Sequence, residues 1–267
     1  MGFSEFSDTW ESGDPYEKYV GRWSRRVAPL FLAWLDQSPG RQWLDVGCGT
    51  GALCSAILAH CSPKSVTGVD PSDGFLRTAK SSLGNRAELR VGTATELPFE
   101  DAQFDTVVSG LVLNFVAEPL LALAEMARVA RRDGIIGAYV WDYAGKMEML
   151  RLFWDCAVEL DPAASALDEG RRFPICDPEA LRRLFSDAGV DTIATTPIDV
   201  VTSFAGFDDY WRPFLGGQGP APSYASLLDD TQRARLRDRI RSRLSTSKGG
   251  EIGLTARAWA ICATNRH

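Results

Sequence analysis

Apolar residues recur at helical spacing between Arg25 and Trp34, at Val27, Leu30, Phe31 and Trp34, and predict a helix ahead of any strand. Gln42–Val46 is a short apolar run and predicts the first strand. The segment Gly51–Cys61 then carries Leu53, Ala56, Ile57 and Ala59 on a helix that opens at a glycine turn. The alternation continues with a strand at Ser65–Val69, a helix over Asp73–Leu83 and a strand at Glu88–Val91. After the turn Glu100–Gln103 comes a strand at Asp105–Ser109. A helix over 118–130 holds Leu120, Leu123, Ala124 and Ala127 in one stripe and closes at Arg131–Gly134, basic residues followed by glycine. Ile135–Val140 reads as the fifth strand. Strands alternating with helices at this spacing imply a parallel, doubly wound sheet with right-handed crossovers.

The second half is less regular. Leu150, Phe153, Trp154 and Ala157 form a helical stripe, and a loop is expected from Asp161 to Cys176. Asp177-Pro178 has the form of an N-cap followed by proline at the first helical position, with Leu181, Leu184, Phe185 and Ala188 behind it and Gly189 as the end. A sixth strand falls within 190–203 and a last one at Thr255–Ala263, separated by an excursion over 204–250. That excursion holds a loop at Gly216–Pro222 and an arginine-rich helix from Asp230 to Leu244. Aromatic residues crowd these parts, among them Trp141, Trp154, Phe173, Tyr210, Trp211 and Tyr224. The expected organisation is one domain over 1–267, with an N-terminal cap at 1–40 and cap insertions at about 141–176 and 204–250 covering an acceptor pocket.

Composition narrows the class. A chain of 267 residues with 45% apolar and 24% charged residues suits a soluble globular protein with a sizeable core. A net charge of −6 argues against a general nucleic-acid or acidic-membrane surface. Arg233, Arg235, Arg237, Arg239, Arg241 and Arg243 alternate at every second position, which scatters them around a helix instead of building one basic face, so a solvated helix is expected. No apolar run approaches the roughly 20 residues that span a bilayer. The acidic N-terminus lacks a signal peptide's basic and apolar regions. The six cysteines show neither CxxC nor zinc spacing, so free thiols in the cytoplasm and no metal are expected.

The chemistry concentrates in Gln42-Trp-Leu-Asp-Val-Gly-Cys-Gly-Thr-Gly51. A tight strand-to-helix turn needs glycines so that backbone can approach a ligand, and amides at the helix start attract an anion. Dinucleotide sites share this, and Gly47-x-Gly49-x-x-Ala52 satisfies their pattern loosely. Asp45 separates the two. A carboxylate near a pyrophosphate costs about 4 kcal/mol at 4 Å for an effective dielectric of roughly 20. S-adenosylmethionine instead presents an ammonium and a carboxylate from one end, which suits an acid on one side and amides on the other. Asp70, at the end of the second strand, can accept from both ribose hydroxyls.

These residues, with Val69-Asp70, Gly92-Thr-Ala-Thr-Glu-Leu-Pro-Phe99 and Phe104-Asp-Thr-Val-Val-Ser109, resemble class I S-adenosylmethionine-dependent methyltransferases. Within them, the chain is most similar to the branch of ubiquinone- and menaquinone-biosynthesis enzymes (methyltransferase type 11). The likeness covers about residues 40–140. It implies a three-layer α/β sandwich, with a mostly parallel seven-stranded sheet whose last strand is antiparallel. It also implies that Gly47, Gly49 and Gly51 approach the methionine end, with Cys48 between them, and that Asp70 takes the ribose with Pro71 beside it. Thr93 and Ala94 would lie by the adenine and Ser109 near the sulfonium. The family often has Asp where this chain has Thr93. Relatives often carry a tyrosine or arginine near the N-terminus that folds over the cofactor, a part Tyr16, Tyr19 or Arg22 would take here.

Methyl transfer from a sulfonium is an in-line displacement that alignment and exclusion of water accelerate. His60 and His267 are the only histidines, and neither belongs at the ligand end of the strands. Asn114 stands where many relatives carry histidine; asparagine can orient a substrate but takes no proton. The expected acceptor is therefore a small, partly apolar amine, thiol or acidic phenol or enol, nucleophilic by itself. Failing that, Asp142 or Tyr143 after the fifth strand would act as base. The rival readings are an NAD(P)-dependent oxidoreductase and a non-catalytic adenosylmethionine-binding protein.

Overall fold

The computed structural model describes residues 21–216, 219–245 and 249–266. Seven strands form one sheet: β1 Gln42–Val46, β2 Ser65–Asp70, β3 Glu88–Val91, β4 Phe104–Gly110, β5 Ala130–Trp141, β6 Asp191–Phe204 and β7 Ile252–Thr264. Their order is β3-β2-β1-β4-β5-β7-β6. Strands β3, β2, β1, β4 and β5 are mutually parallel, and β7 runs antiparallel to β5, with Ile135 opposite Thr264 and Trp141 opposite Ala258. This is the expected class of fold. β1, β2 and β4 are buried almost end to end, as strands covered on both faces must be, whereas the edge strand β3 is mostly exposed.

The order reverses beside β1, where the crossover from β3 carries the chain to β4 on the other side. That reversal opens a crevice at the carboxyl ends of β1 and β4, the place where open α/β sheets bind ligands. The helices that follow β1 and β2, Ala52–His60 and Asp73–Leu83, turn Leu53, Cys54, Ile57, Leu76, Ala79 and Leu83 inward. Helix Arg22–Leu35 packs Phe31 against Tyr139 of β5, ring centroids 4.7 Å apart. Gly137 makes room for it, since a Cβ there would sit 3.1 Å from the Phe31 ring.

The chain divides into two compact units. One comprises Ser24–Trp141, Ile175–Ile198 and Ala258 onward and holds the body of the sheet; the other is built from Asp142–Pro174 and Asp199–Arg257 with the described residues up to Trp23. The second unit has its own aromatic core. Phe153 stacks on Phe214 at 4.5 Å, Trp154 meets Tyr224 at 5.7 Å, and the buried Tyr210 hydroxyl donates to the Met149 carbonyl at 2.8 Å. The arginine-rich helix Asp230–Arg243 belongs here. Leu236 and Ile240 are its buried residues, Arg239 and Arg243 pair with Glu159, and Arg241 lies over the Phe207 ring at 4.2 Å. Its arginines therefore serve mainly as internal ties.

Three boundaries differ from expectation. The helix Pro119–Val129 ends before Arg131, and β5 starts at once at Ala130. Arg131–Gly134 is a bulge in that strand and not a helix stop, with the register slipping between Phe104 and Thr106 and Asp133 at φ 61°. The expected loop 161–176 contains a 3-10 turn at Pro162–Ala166 and a short helix at Glu169–Arg172. Within 204–250, helices Phe207–Trp211 and Pro220–Leu227 precede the arginine helix, so the expected loop at Gly216–Pro222 ends inside a helix.

Candidate active site

The glycine turn leaves β1 at Val46 and enters the helix Ala52–His60 through three left-handed glycines, Gly47 at φ 74°, Gly49 at φ 51° and Gly51 at φ 86°. Their surroundings differ. A Cβ on Gly47 would lie 2.5 Å from a Val112 methyl, and one on Gly51 would lie 2.8 Å from Leu83, but among the described residues nothing stands within 4 Å of a Cβ built on Gly49. Gly47 and Gly51 are thus required by the protein's own packing, while Gly49 meets none of the described residues.

Most of the turn's own amides are committed internally. Gly47 and Cys48 donate to the Val69 carbonyl at 2.8 and 3.0 Å, Gly51 donates to the Cys48 carbonyl at 2.8 Å, and Gly49 donates to Asp70 Oδ2 at 2.9 Å. The donors suited to an external anion lie one step later, at Ala52 and Leu53, the first residues of the helix, whose amides no intrahelical carbonyl can reach.

Asp45 and Asp70 stand on either side of this turn. Asp45 is 1% exposed, and Cys54 serves it with both its backbone amide and its thiol, Sγ to Oδ2 3.2 Å. Burial lifts the Asp45 carboxyl to about 7. The Cys48 thiol beside it and burial hold the Cys54 thiol well above its ordinary range, so it stays a donor. Asp70 is also buried and pushed upward by that burial, against the pull of two amides, Gly49 on Oδ2 and Ser72 on Oδ1, each at 2.9 Å. A carboxylate has about four lone-pair sites, so two remain for other donors.

The remaining sequence-nominated residues fall as follows. Pro71 follows Asp70 and is exposed. Thr93 is exposed, its hydroxyl 3.4 Å from that of Thr95, and Ala94 is half-buried. Ser109 is buried at the end of β4, where its hydroxyl donates to the Val46 carbonyl at 2.9 Å and ties β4 to β1. Asn114 is buried in the 3-10 turn Leu113–Phe115 after β4. Asp142 and Tyr143 belong to the other unit. Both Asp142 oxygens accept backbone amides, Gly145 at 3.0 Å and Lys146 at 2.9 Å, and the Tyr143 ring lies 5.7 Å from that of Phe173. Tyr16 and Tyr19, the side chain of Arg22, and His267 lie outside the described residues. His60 ends the first crossover helix, at the opposite end of the sheet from the turn.

A supporting group escaped the sequence reading. From helix Pro119–Val129, Arg128 donates to the carbonyls of Phe99 and Leu97 and pairs with Glu125 and Asp101, while Glu125 accepts the Leu97 amide at 2.8 Å. Glu125 is held below its ordinary range by Arg128. This clamp fixes the segment that runs on from Thr93 and Ala94. Its signal is only Glu125 and Arg128 one helical turn apart, which a plain surface pair shares. Arg128→Ala is expected to lower stability by about 2 kcal/mol, read as a shift in the urea unfolding midpoint.

Residues 44–138 match the family model of a methyltransferase domain. A demethylmenaquinone methyltransferase of Staphylococcus aureus is 39% identical over 117 residues, 43% of this chain and 47% of that protein. An uncharacterized 37.1 kDa protein in transposon TN4556 from Streptomyces fradiae is 35% identical over 124 residues, 45% of this chain and 36% of that protein. Each match thus spans less than half the length of these curated relatives. Among solved structures, a putative methyltransferase from Bacillus halodurans superimposes with a TM-score of 0.61 at 13% identity, covering 90% of this chain and 99% of that one; the likeness is one of fold.

Proposed function

We propose that this chain, whose residues 44–138 match the family model of a methyltransferase domain, transfers the methyl group of S-adenosylmethionine to a small, at least partly apolar molecule and releases S-adenosylhomocysteine. The observation that carries this reading is the pairing around one glycine turn of a buried acid, Asp45, with helix-start amides at Ala52 and Leu53. An ammonium on one side and a carboxylate on the other match an amino-acid end. A pyrophosphate, negative throughout, is poorly matched to Asp45.

In this reading Gly49 is where backbone approaches the methionine end, since a Cβ there meets none of the described residues. Gly47, Cys48 and Gly51 give the turn its path. Asp70, with lone pairs left beyond Gly49 and Ser72, receives the ribose hydroxyls, and Pro71, Thr93 and Ala94 flank the adenosine. Ser109 stands nearest the sulfonium, its own proton committed to Val46. Tyr16 and Arg22 are proposed as cover for the cofactor. Among the described residues the one histidine, His60, closes its helix away from the turn, which supports an acceptor nucleophilic on its own, and the protein's part is alignment and exclusion of water.

The test is heat of binding and thermal stabilisation with S-adenosylmethionine, S-adenosylhomocysteine and NAD(P) side by side. At 100 times the dissociation constant a specific ligand stabilises by about 2.7 kcal/mol, a shift of several degrees in Tm. The first two ligands are expected to give it and NAD(P) none. A shift with NAD(P) alone would overturn the reading.

A further inference from the structure

Asn114 is 9% exposed, and its Nδ2 has no hydrogen-bond partner among the described residues. Buried amide donors are almost always paired, so an unpaired one calls for a partner, and a bound substrate can supply it. The chain around it is held firmly. Leu111 takes φ 63°, outside the usual range for a leucine, and its amide donates to the Tyr139 carbonyl at 2.7 Å. Gly110 lies so close under Tyr139 that a Cβ would come within 2.5 Å of its hydroxyl oxygen. Val112 packs onto Gly47, the first glycine of the turn. The unpaired donor therefore sits on a segment pinned both to β5 and to the cofactor turn, at the carboxyl end of β4.

We propose that Asn114 orients the methyl acceptor by donating from Nδ2 to one of its oxygens, and that the acceptor is an acidic phenol or enol that reacts as its anion. The assignment rests on the methyltransferase reading above and selects among its acceptor classes. An amine has one lone pair, and a donor facing it would occupy the pair that the reaction needs. A thiol is a weak acceptor of hydrogen bonds. A phenolate oxygen has lone pairs enough to accept from Asn114 and still attack. The same bond favours the anion over the neutral phenol and so lowers its pKa. The phenol's proton passes to solvent before transfer. The phenolate oxygen then forms the new bond to the methyl carbon as the carbon–sulfur bond breaks, and that bond's electron pair stays on sulfur as the neutral thioether.

Size-matched substituted phenols, anilines and thiophenols, with 4-nitrophenol as the optical probe, test this on the whole chain with S-adenosylmethionine. Wild type is expected to methylate the phenols in preference. Asn114→Ala should lower kcat/KM for phenols about 30-fold, the effect of losing one hydrogen bond to a charged oxygen, with S-adenosylmethionine affinity unchanged. It should also raise the pKa of bound 4-nitrophenol, read from its visible spectrum, a change that a purely structural residue would not produce. Asn114→Ser, with a shorter donor, should recover part of both effects, and unaltered cofactor binding shows that the variants are folded. Preference for anilines or thiophenols, no phenol turnover by a wild type that binds S-adenosylmethionine, an unchanged kcat/KM in Asn114→Ala, or an equal loss of cofactor affinity would each overturn the assignment alone. Failure of wild type to bind S-adenosylmethionine would instead overturn the methyltransferase reading.

Discussion

Replacing Asp45 by Asn is expected to weaken S-adenosylmethionine binding about 100-fold at pH 7.5 while making the unliganded fold more stable at the same pH. The two effects have opposite signs because the carboxylate proposed to serve the ligand is buried at the fold's expense. For binding, a unit charge pair about 6 Å apart at an effective dielectric of roughly 20 is worth about 3 kcal/mol, or a factor of roughly 100. For stability, burial lifts the folded carboxyl to about 7, against an unfolded value of about 3.9. Between those two values the folded chain binds more protons than the unfolded one, so wild-type stability falls as pH rises through this window, by up to roughly 4 kcal/mol. Asn carries no such slope. The gap in unfolding free energy between variant and wild type should therefore be small at pH 4 and widest above pH 7. Affinity of the wild type for S-adenosylmethionine should run the other way, rising from pH 5 to pH 7.5 as Asp45 ionises. Methylthioadenosine, which lacks the ammonium, should bind variant and wild type alike. Isothermal titration and urea unfolding across pH read all of these. Equal S-adenosylmethionine affinity in the two proteins would remove Asp45 from the ammonium's recognition.

How legible the chain was follows from where each signal's partners lie. β1, β2 and β4 were readable because parallel strands covered on both faces must be continuous apolar runs, and their own residues carry that mark. The end of the helix before β5 was not. Arg131 and Asp133 look like a loop, but Arg131 pairs with Asp105 at 2.5 Å and the Asp133 amide donates to the Asn265 carbonyl at 2.7 Å. Gly134 lies where a Cβ would press on the Arg131 and Asp105 carbonyls, so it marks a bulge and not a stop. The deciding contacts are tertiary, and no local pattern contains them. The site divides in the same way. That the glycines, Asp45 and Asp70 gather around one turn was legible because they lie in one turn and at the next strand's end. That the turn's amides at Gly47, Cys48 and Gly49 are taken by Val69 and Asp70 depends on how β2 lies against the turn. The orphaned donor of Asn114 is likewise a property of its packed surroundings.

Gly47 and Gly49, identical in sequence terms and both left-handed, should respond to alanine in different currencies. At Gly47 the new methyl would meet Val112 at 2.5 Å in a conformation alanine disfavours. Overpacking of about 1–3 kcal/mol adds to roughly 1–2 kcal/mol of backbone strain, and Gly47→Ala should lose about 2–5 kcal/mol of stability. At Gly49 the methyl would meet none of the described residues within 4 Å, so only backbone strain of roughly 1–2 kcal/mol applies and the fold should survive. Yet that space is where the cofactor's amino-acid end is proposed to lie, and a methyl projecting into it should weaken S-adenosylmethionine binding by at least about 30-fold, the order of one displaced close contact. Shortening Val112 to Ala in the Gly47→Ala background should restore part of the lost stability, because the two side chains occupy one volume and must couple. It should do nothing for Gly49→Ala. Urea midpoints and titration calorimetry on the four variants separate the contributions. If Gly49→Ala keeps full affinity, the backbone of this turn does not approach the ligand, and the space beside Gly49 has another cause.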